Sequence, residues 1–229
     1  KSAVGDLDLW YELAALMARG DRGVDFIHVD GGEGGTGAAP LIFTDSVALP
    51  FRAAFSRVYR IFAERGLSDD VVWVGSGKLG LPDNAVLAFA LGCDTVSVGR
   101  EAMLAVGCIQ AQICHTDRCP TGVATQNPRL ERGLDPELKS VRAANYLKTL
   151  RRDLLRVAEA CGVEHPALID ADHVELMDAG TRSIPLREAY GYQPEWARPS
   201  EADRERIAAL MTATAPRGGS APPSPDAVR

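Results

Sequence analysis

The chain has 229 residues, 46% of them hydrophobic and 24% charged, the balance of a folded globular protein rather than of a disordered chain. Its formal charge of −6 leaves no basic field to draw a polyanion, so nucleic acid is a poor partner. No apolar run reaches the roughly 18 to 20 residues of a membrane-spanning helix and no secretory leader opens the chain, so a cytoplasmic protein is expected, an upstream anchor being left open.

The chain starts at Lys1 and enters a repeating βα pattern in mid-course, which predicts the C-terminal part of a longer polypeptide. Asp6 to Arg19 carries Leu9, Leu13, Leu16 and Met17 at helical spacing, with Asp6 as N-cap. Asp25 to Val29 is a short apolar strand closed by Asp30 and a glycine cluster, and Phe51, Phe55, Val58 and Phe62 restore a helical period from Pro50 to Glu64. The unit repeats: Val71 to Val74 runs into Gly75-Ser76-Gly77-Lys78, Pro82 to Leu91 is helical, and Thr95 to Val98 runs into Gly99-Arg100. Short strands, each followed by a glycine-bearing loop and a helix, define parallel α/β units. An open doubly wound sheet and a (β/α)8 barrel both fit, and in either the chemistry gathers on the loops after the strands. A long helix from Pro136 to Cys161 sets Leu147, Leu150, Leu154 and Val157 on one face, and its basic residues read as a solvated side, with a docking surface for an acidic electron-transfer partner as the alternative. Thr212 to Arg229, dense in Pro, Ala, Gly and Ser, lacks the bulky apolar residues that offset ordering entropy and is expected to be disordered.

Gly32, Gly34 and Gly37 spell a G-x-G-x-x-G after a strand. A dinucleotide fingerprint needs a helix starting on that loop, and here Ala38-Ala39-Pro40 and LIFTD intervene. The alternatives are a loop that lets backbone N–H groups approach a flat or anionic ligand, or a flexible turn. Lys78 and Arg100, after consecutive strands, fit either a phosphate site or ordinary surface cations; a Walker A loop is excluded because Leu79 follows Gly77-Lys78. Cys108, Cys114 and Cys119 fall in a C-x5-C-x4-C run before Pro120. The odd count of five cysteines argues against a disulfide framework, and the spacing fits zinc badly even with His115 as fourth donor. An iron–sulfur cluster on one loop, or three buried apolar thiols, remain. Cys93 and Cys161 read as core, and His165, His173, Glu175 and Asp178 show no ligand spacing.

The segments DFIHVDGGEGGTGAAP (Asp25 to Pro40), VGSGKLG (Val74 to Gly80), ALGCDTVSVGR (Ala90 to Arg100) and GCIQAQICHTDRCPTGVATQNP (Gly107 to Pro128) together resemble the FMN-binding synthase domain of glutamate synthase. The resemblance implies a TIM-type (β/α)8 barrel, of which residues 1–130 are the C-terminal half (strands five to eight) with an iron–sulfur loop at 108–119. Residues 131–211 would then be a helical extension packing on the barrel, and 212–229 the tail. It implies FMN at the barrel mouth with a 3Fe–4S cluster held by Cys108, Cys114 and Cys119. By the same resemblance Gly34, Gly35, Thr36 and Gly37 flank the flavin, Gly75, Gly77, Lys78, Gly99 and Arg100 meet its phosphate, and Lys1, at the end of strand five, is the catalytic lysine facing flavin and 2-oxo acid.

The implied chemistry is reductive amination of 2-oxoglutarate, with an ammonia source, to L-glutamate, electrons coming from a donor subunit or ferredoxin through the cluster. The family's Gly-His-Asp is Gly31-Gly32-Glu33 here and its Ala-Ser-Pro is Ala38-Ala39-Pro40, so altered substrate contacts are expected. An N-methylglutamate synthase-like subunit and a non-catalytic electron-transfer subunit are the alternatives. Half a barrel cannot close, so this segment by itself is expected to be inactive.

Overall fold

The computed structural model describes residues 1–20, 22–33, 41–43, 45, 47–177 and 180–214. The expectations for Gly34, Gly35, Thr36, Gly37, Ala38, Ala39, Pro40 and Asp178, and for 215–229 of the tail, lie outside the described residues. Two units divide the chain, residues 1–198 and 199–229.

Four strands, β1 (Ser2–Ala3), β2 (Phe26–Asp30), β3 (Val72–Ser76) and β4 (Thr95–Ser97), form one parallel sheet in the order 1-2-3-4. Between them run the helices α1 (Asp8–Ala18), α2 (Phe51–Ala63) and α3 (Pro82–Ala90), and α4 (Arg100–Ala105) follows β4. Sequential strands that are spatial neighbours, each joined by a helical crossover, make a parallel α/β fold of repeated βα units.

Alternation along the strands decides what each face does. Ile27, Val29 and Trp73 point into a core built with α1, α2 and α3, whereas Phe26 and Val72, which pair in register, are 59% and 50% exposed on the other face. Trp73 is the hub of the core. It meets Phe55 and Phe62 edge-on at 5.7 and 5.4 Å, packs on Tyr59 at 5.3 Å, and its indole N–H reaches Ser68 O at 2.9 Å. Truncating a residue so placed costs roughly 3 to 5 kcal/mol.

The expected helices and strands fall within one or two residues of those observed, with differences that packing explains. On α1 the inward stripe is Trp10, Leu13, Ala14 and Met17, while Leu9 and Leu16 face outward. Asp6 caps the start of that helix through its carboxylate, which accepts the N–H of the first helical residue, Asp8, at 2.7 Å, one position ahead of the N-cap Leu7. β1 begins after Lys1 rather than ending at it.

One short helix, α5 (Pro128–Glu131), capped by Asn127, leads into the longest described helix, α6 (Pro136–Ala160), capped by Asp135 with Pro136 at its first position. Leu150, Leu154 and Val157 of α6 pack with Ala158, Ile169, Val86 and Ala90, but Leu147 is exposed. The region beyond is not purely helical, because β5 (Glu175–Met177) and β6 (Ser183–Pro185) pair antiparallel before α7 (Leu186–Tyr190). Buried Asp170 anchors this stretch, meeting His173 Nδ1 at 2.8 Å and Arg198 Nε at 3.2 Å. In the second unit, α8 (Glu201–Thr214) begins after Ser200, whose hydroxyl oxygen accepts Asp203 N–H; residues 212–214, expected in the tail, are helical. No described helix is long and apolar enough to cross a membrane.

Candidate functional site

Parallel register sets Asp30, Ser76 and Ser97 side by side at the C-terminal edge of the sheet, on the face opposite Ile27, Val29 and Trp73. Ser76 Oγ donates to Asp30 Oδ1 at 2.7 Å, and Lys1 Nζ lies 3.1 Å from Asp30 Oδ2. One turn of the pleat below, His28 shares the face with Val74. Its Nε2 is buried without a hydrogen-bond partner, and burial, with the Lys1 charge second, pushes its pKa below the ordinary imidazole value, against the opposing pull of Asp30.

The loops beyond the strands bring the two predicted phosphate cations together. Lys78 Nζ and Arg100 Nη2 approach the same atom, Asp45 Oδ1, at 3.2 and 3.3 Å. Arg100 also donates to Glu33 O at 3.2 Å. Lys78 takes a left-handed backbone (φ +55°), as does Asp45 (φ +61°), conformations that cost a side-chain-bearing residue energy and persist where the surroundings hold them.

The predicted glycines divide by environment. A Cβ at Gly75 would stand 2.8 Å from both Cys93 Sγ and Phe51 Cζ, and one at Gly77 2.9 Å from Glu33 Oε2, so the chain's own packing requires glycine at both. At Gly99 an added Cβ would meet nothing within 4 Å, which leaves open space beside Arg100. The two carboxylate oxygens of Glu33 both accept Phe51 N–H at 2.8 Å, capping α2, whose N-cap Pro50 offers no side-chain cap. Glu33, which stands where the family pattern has aspartate, thus acts as a helix cap. Glu33, Phe51, Arg52, Lys78, Asn84 and Leu87 line a pocket of about 210 Å³ between α2 and the loop after β3.

Cys108, Cys114 and Cys119 are all free thiols on one irregular stretch between α4 and α5. Burial raises the Cys119 pKa, but hydrogen bonds from the Thr121 hydroxyl and from the amides of Ala124, Thr121 and Val123 outweigh it, so the pKa falls below the ordinary thiol value. Gln110 N–H points at Cys108 Sγ at 3.4 Å. Amide donors on sulfur suit thiolates that ligate a cluster. As placed, however, the loop does not present three thiols to one metal: among the described residues no group of three His, Cys, Asp or Glu is disposed to hold a metal ion. Cys93, by contrast, is buried and its thiol pKa is pushed well up, as befits core packing.

Sequence reasoning places the chemistry at the strand ends, Asp30 and Ser76 included, but gives neither a role, and it misses Asp45, which lies outside any periodic stretch.

The chain is thus a parallel α/β fold that gathers cations and small residues at the C-terminal ends of its strands. The family profile described as the conserved region in glutamate synthase matches residues 11–164, and the chain belongs to the glutamate synthase family. It is 40% identical over 174 residues to the glutamate synthase large subunit-like protein YerD of Bacillus subtilis, covering 76% of this chain and 33% of that protein. It is 37% identical over 139 residues to the archaeal glutamate synthase [NADPH] of Methanocaldococcus jannaschii, covering 61% of this chain and 27% of that protein. A ferredoxin-dependent glutamate synthase of Pyropia yezoensis is 41% identical over 118 residues, 52% of this chain and 8% of that protein. The chain thus spans about a third or less of the curated relatives it matches.

Proposed function

We propose that this chain is the C-terminal half of a (β/α)8 synthase barrel in a cytoplasmic glutamate synthase-type oxidoreductase, which reductively aminates 2-oxoglutarate to L-glutamate with FMN and a 3Fe–4S cluster. The observation that carries the reading is the convergence of Lys78 and Arg100, from consecutive βα loops, beside the open space at Gly99. Two cations held at one point, one of them on a left-handed backbone, fit a phosphate dianion. The donor set for FMN therefore fits: Lys78 and Arg100 bind its phosphate, with Gly99 admitting close backbone approach.

When bound, FMN supplies hydride chemistry and the cluster single-electron transfer from a donor subunit or ferredoxin. The chain's own contribution is binding and electrostatics. Lys1, 54% exposed and with spare N–H donors, offers an ammonium to a carboxylate of the oxo acid on the face where Asp30 anchors it. The neutral His28 and Val74 below keep that face free of competing charge. Cys108, Cys114 and Cys119 are the proposed cluster ligands, supported by their spacing and by the thiolate-favouring surroundings of Cys119; cluster assembly requires the loop to draw the three thiols together.

The test is to purify the full-length protein anaerobically, measure flavin, iron and sulfide, and assay glutamate formation from 2-oxoglutarate and ammonia. Bound FMN with about three irons per chain and 2-oxoglutarate-dependent turnover is the expected result. A colourless protein without flavin or iron overturns the reading; flavin and iron without glutamate formation favour an electron-transfer subunit.

A further inference from the structure

We propose that Asp30, itself held by Ser76, is a positioning residue that fixes the Lys1 ammonium on the face of the sheet opposite the helical core. The inference rests on the functional reading above and deepens it by giving Asp30 and Ser76 defined roles beside Lys1.

Both carboxylate oxygens of Asp30 are engaged, Oδ2 by Lys1 Nζ at 3.1 Å and Oδ1 by Ser76 Oγ at 2.7 Å. An oxygen occupied on each side fixes the rotation of the carboxylate, and so the direction in which it pulls the lysine. The backbone beneath is equally constrained. Asp30 and Ser76 are register partners at the ends of β2 and β3, and Gly31 N–H donates to Ser76 O at 2.7 Å, so the ladder continues past the pair. Among the described residues of that face, Phe26, Val72 and Val74 are apolar, and His28 is held toward its neutral form. Asp30 is therefore the counter-charge that sets where a long, flexible lysine rests.

An ion pair in which Lys1 is 54% exposed adds little to folding. The geometry serves orientation instead. An ammonium with one N–H committed to a fixed carboxylate has its other donors aimed at whatever lies above the strand ends, and the complementary ligand is a carboxylate of a small oxo acid. Lys1 is the group that touches substrate, Asp30 acts through Lys1, and Ser76 acts through Asp30.

The experiment compares Asp30→Asn, Asp30→Glu and Ser76→Ala in the full-length protein by two readouts. The first is acylation of Lys1 by acetic anhydride, followed by mass spectrometry without substrate. Asp30→Asn is expected to acylate several-fold faster than the parent, and Asp30→Glu close to it. The second is a kcat and KM analysis with 2-oxoglutarate, alongside flavin content and Tm. Asp30→Asn is expected to lower kcat on the order of 10- to 100-fold with KM unchanged or reduced and flavin retained. Ser76→Ala should move kcat in the same direction by less, and Asp30→Glu should recover part of it.

Parent-like kcat and acylation in Asp30→Asn overturn the role. So does a loss shared equally by Asn and Glu that tracks lost flavin and lowered Tm, because that pattern is structural. A parent protein without 2-oxoglutarate turnover overturns the functional reading and this role together, while the acylation ratio separately reports whether Asp30 holds Lys1.

Discussion

The carboxylate of Glu33 accepts the backbone N–H of Phe51 with both oxygens at 2.8 Å, tying the loop after β2 to the first turn of α2 across 18 residues. A negative side chain at a helix N-terminus satisfies an orphan donor and meets the positive end of the helix dipole. Glu33→Ala is expected to lower stability by about 1 kcal/mol, with Glu33→Gln intermediate. Urea denaturation of the three proteins measures this, and equal midpoints for parent and Glu33→Ala would show that the cap contributes nothing.

Asp45 pairs with both Lys78 and Arg100 through one oxygen, so an incoming phosphate has to compete with it. Asp45→Asn should tighten FMN several-fold, and Lys78→Ala should weaken it about tenfold, roughly 1.4 kcal/mol. Riboflavin, which lacks the phosphate, should bind all three proteins alike. Flavin fluorescence titration decides, and a riboflavin response equal to that of FMN removes the phosphate assignment.

Cys114→Ser should strip iron and the broad visible absorption of a cluster while the sheet and its core remain, because Cys114 opens a short 3-10 turn outside that core. Iron and sulfide analysis with far-ultraviolet circular dichroism reads both halves of the expectation. Full iron retention would assign the metal elsewhere.

Stability should fall as pH drops from neutrality, in two windows. His28 and His165 are both pushed by burial below the ordinary imidazole value, assisted by the charges of Lys1 and Arg151 respectively. The unfolded chain binds protons more readily at these sites, so stability declines from about pH 6.5 down to the folded-state values. The Asp172 pKa is held down by its hydrogen bond to Arg187 and further by Arg198, with burial opposing. Its contribution is complete above the unfolded value near 3.9 and disappears as pH falls through the folded one. Tm measured from pH 8 to 3 should show both declines, the first flattened in a His28→Leu, His165→Gln double variant and the second in Asp172→Asn. A Tm that is level between pH 7 and 5 in the parent contradicts the histidine assignment.

Local pattern alone determined the parallel βα succession. Phe51, Phe55, Val58 and Phe62 mark α2, and the apolar runs before Asp30 and Gly75 mark β2 and β3, because periodicity and glycine punctuation are properties of neighbouring residues. The family resemblance was equally legible, carried by contiguous motifs. The hairpin of β5 and β6 escaped notice because three-residue strands are too short for alternation to register. Which helix stripe faces inward also waited on the fold: Trp10 and Ala14 are buried on α1 where Leu9 and Leu16 are not. The tertiary structure alone decided the site relationships. Lys78 meets Arg100 through Asp45, Lys1 reaches Ser76 through Asp30, and Glu33 caps α2, across separations of up to 55 residues. Those meetings depend on strand register and loop path, which are set by the packing of Trp73 and its aromatic neighbours between sheet and helix and leave no periodic trace in the chain.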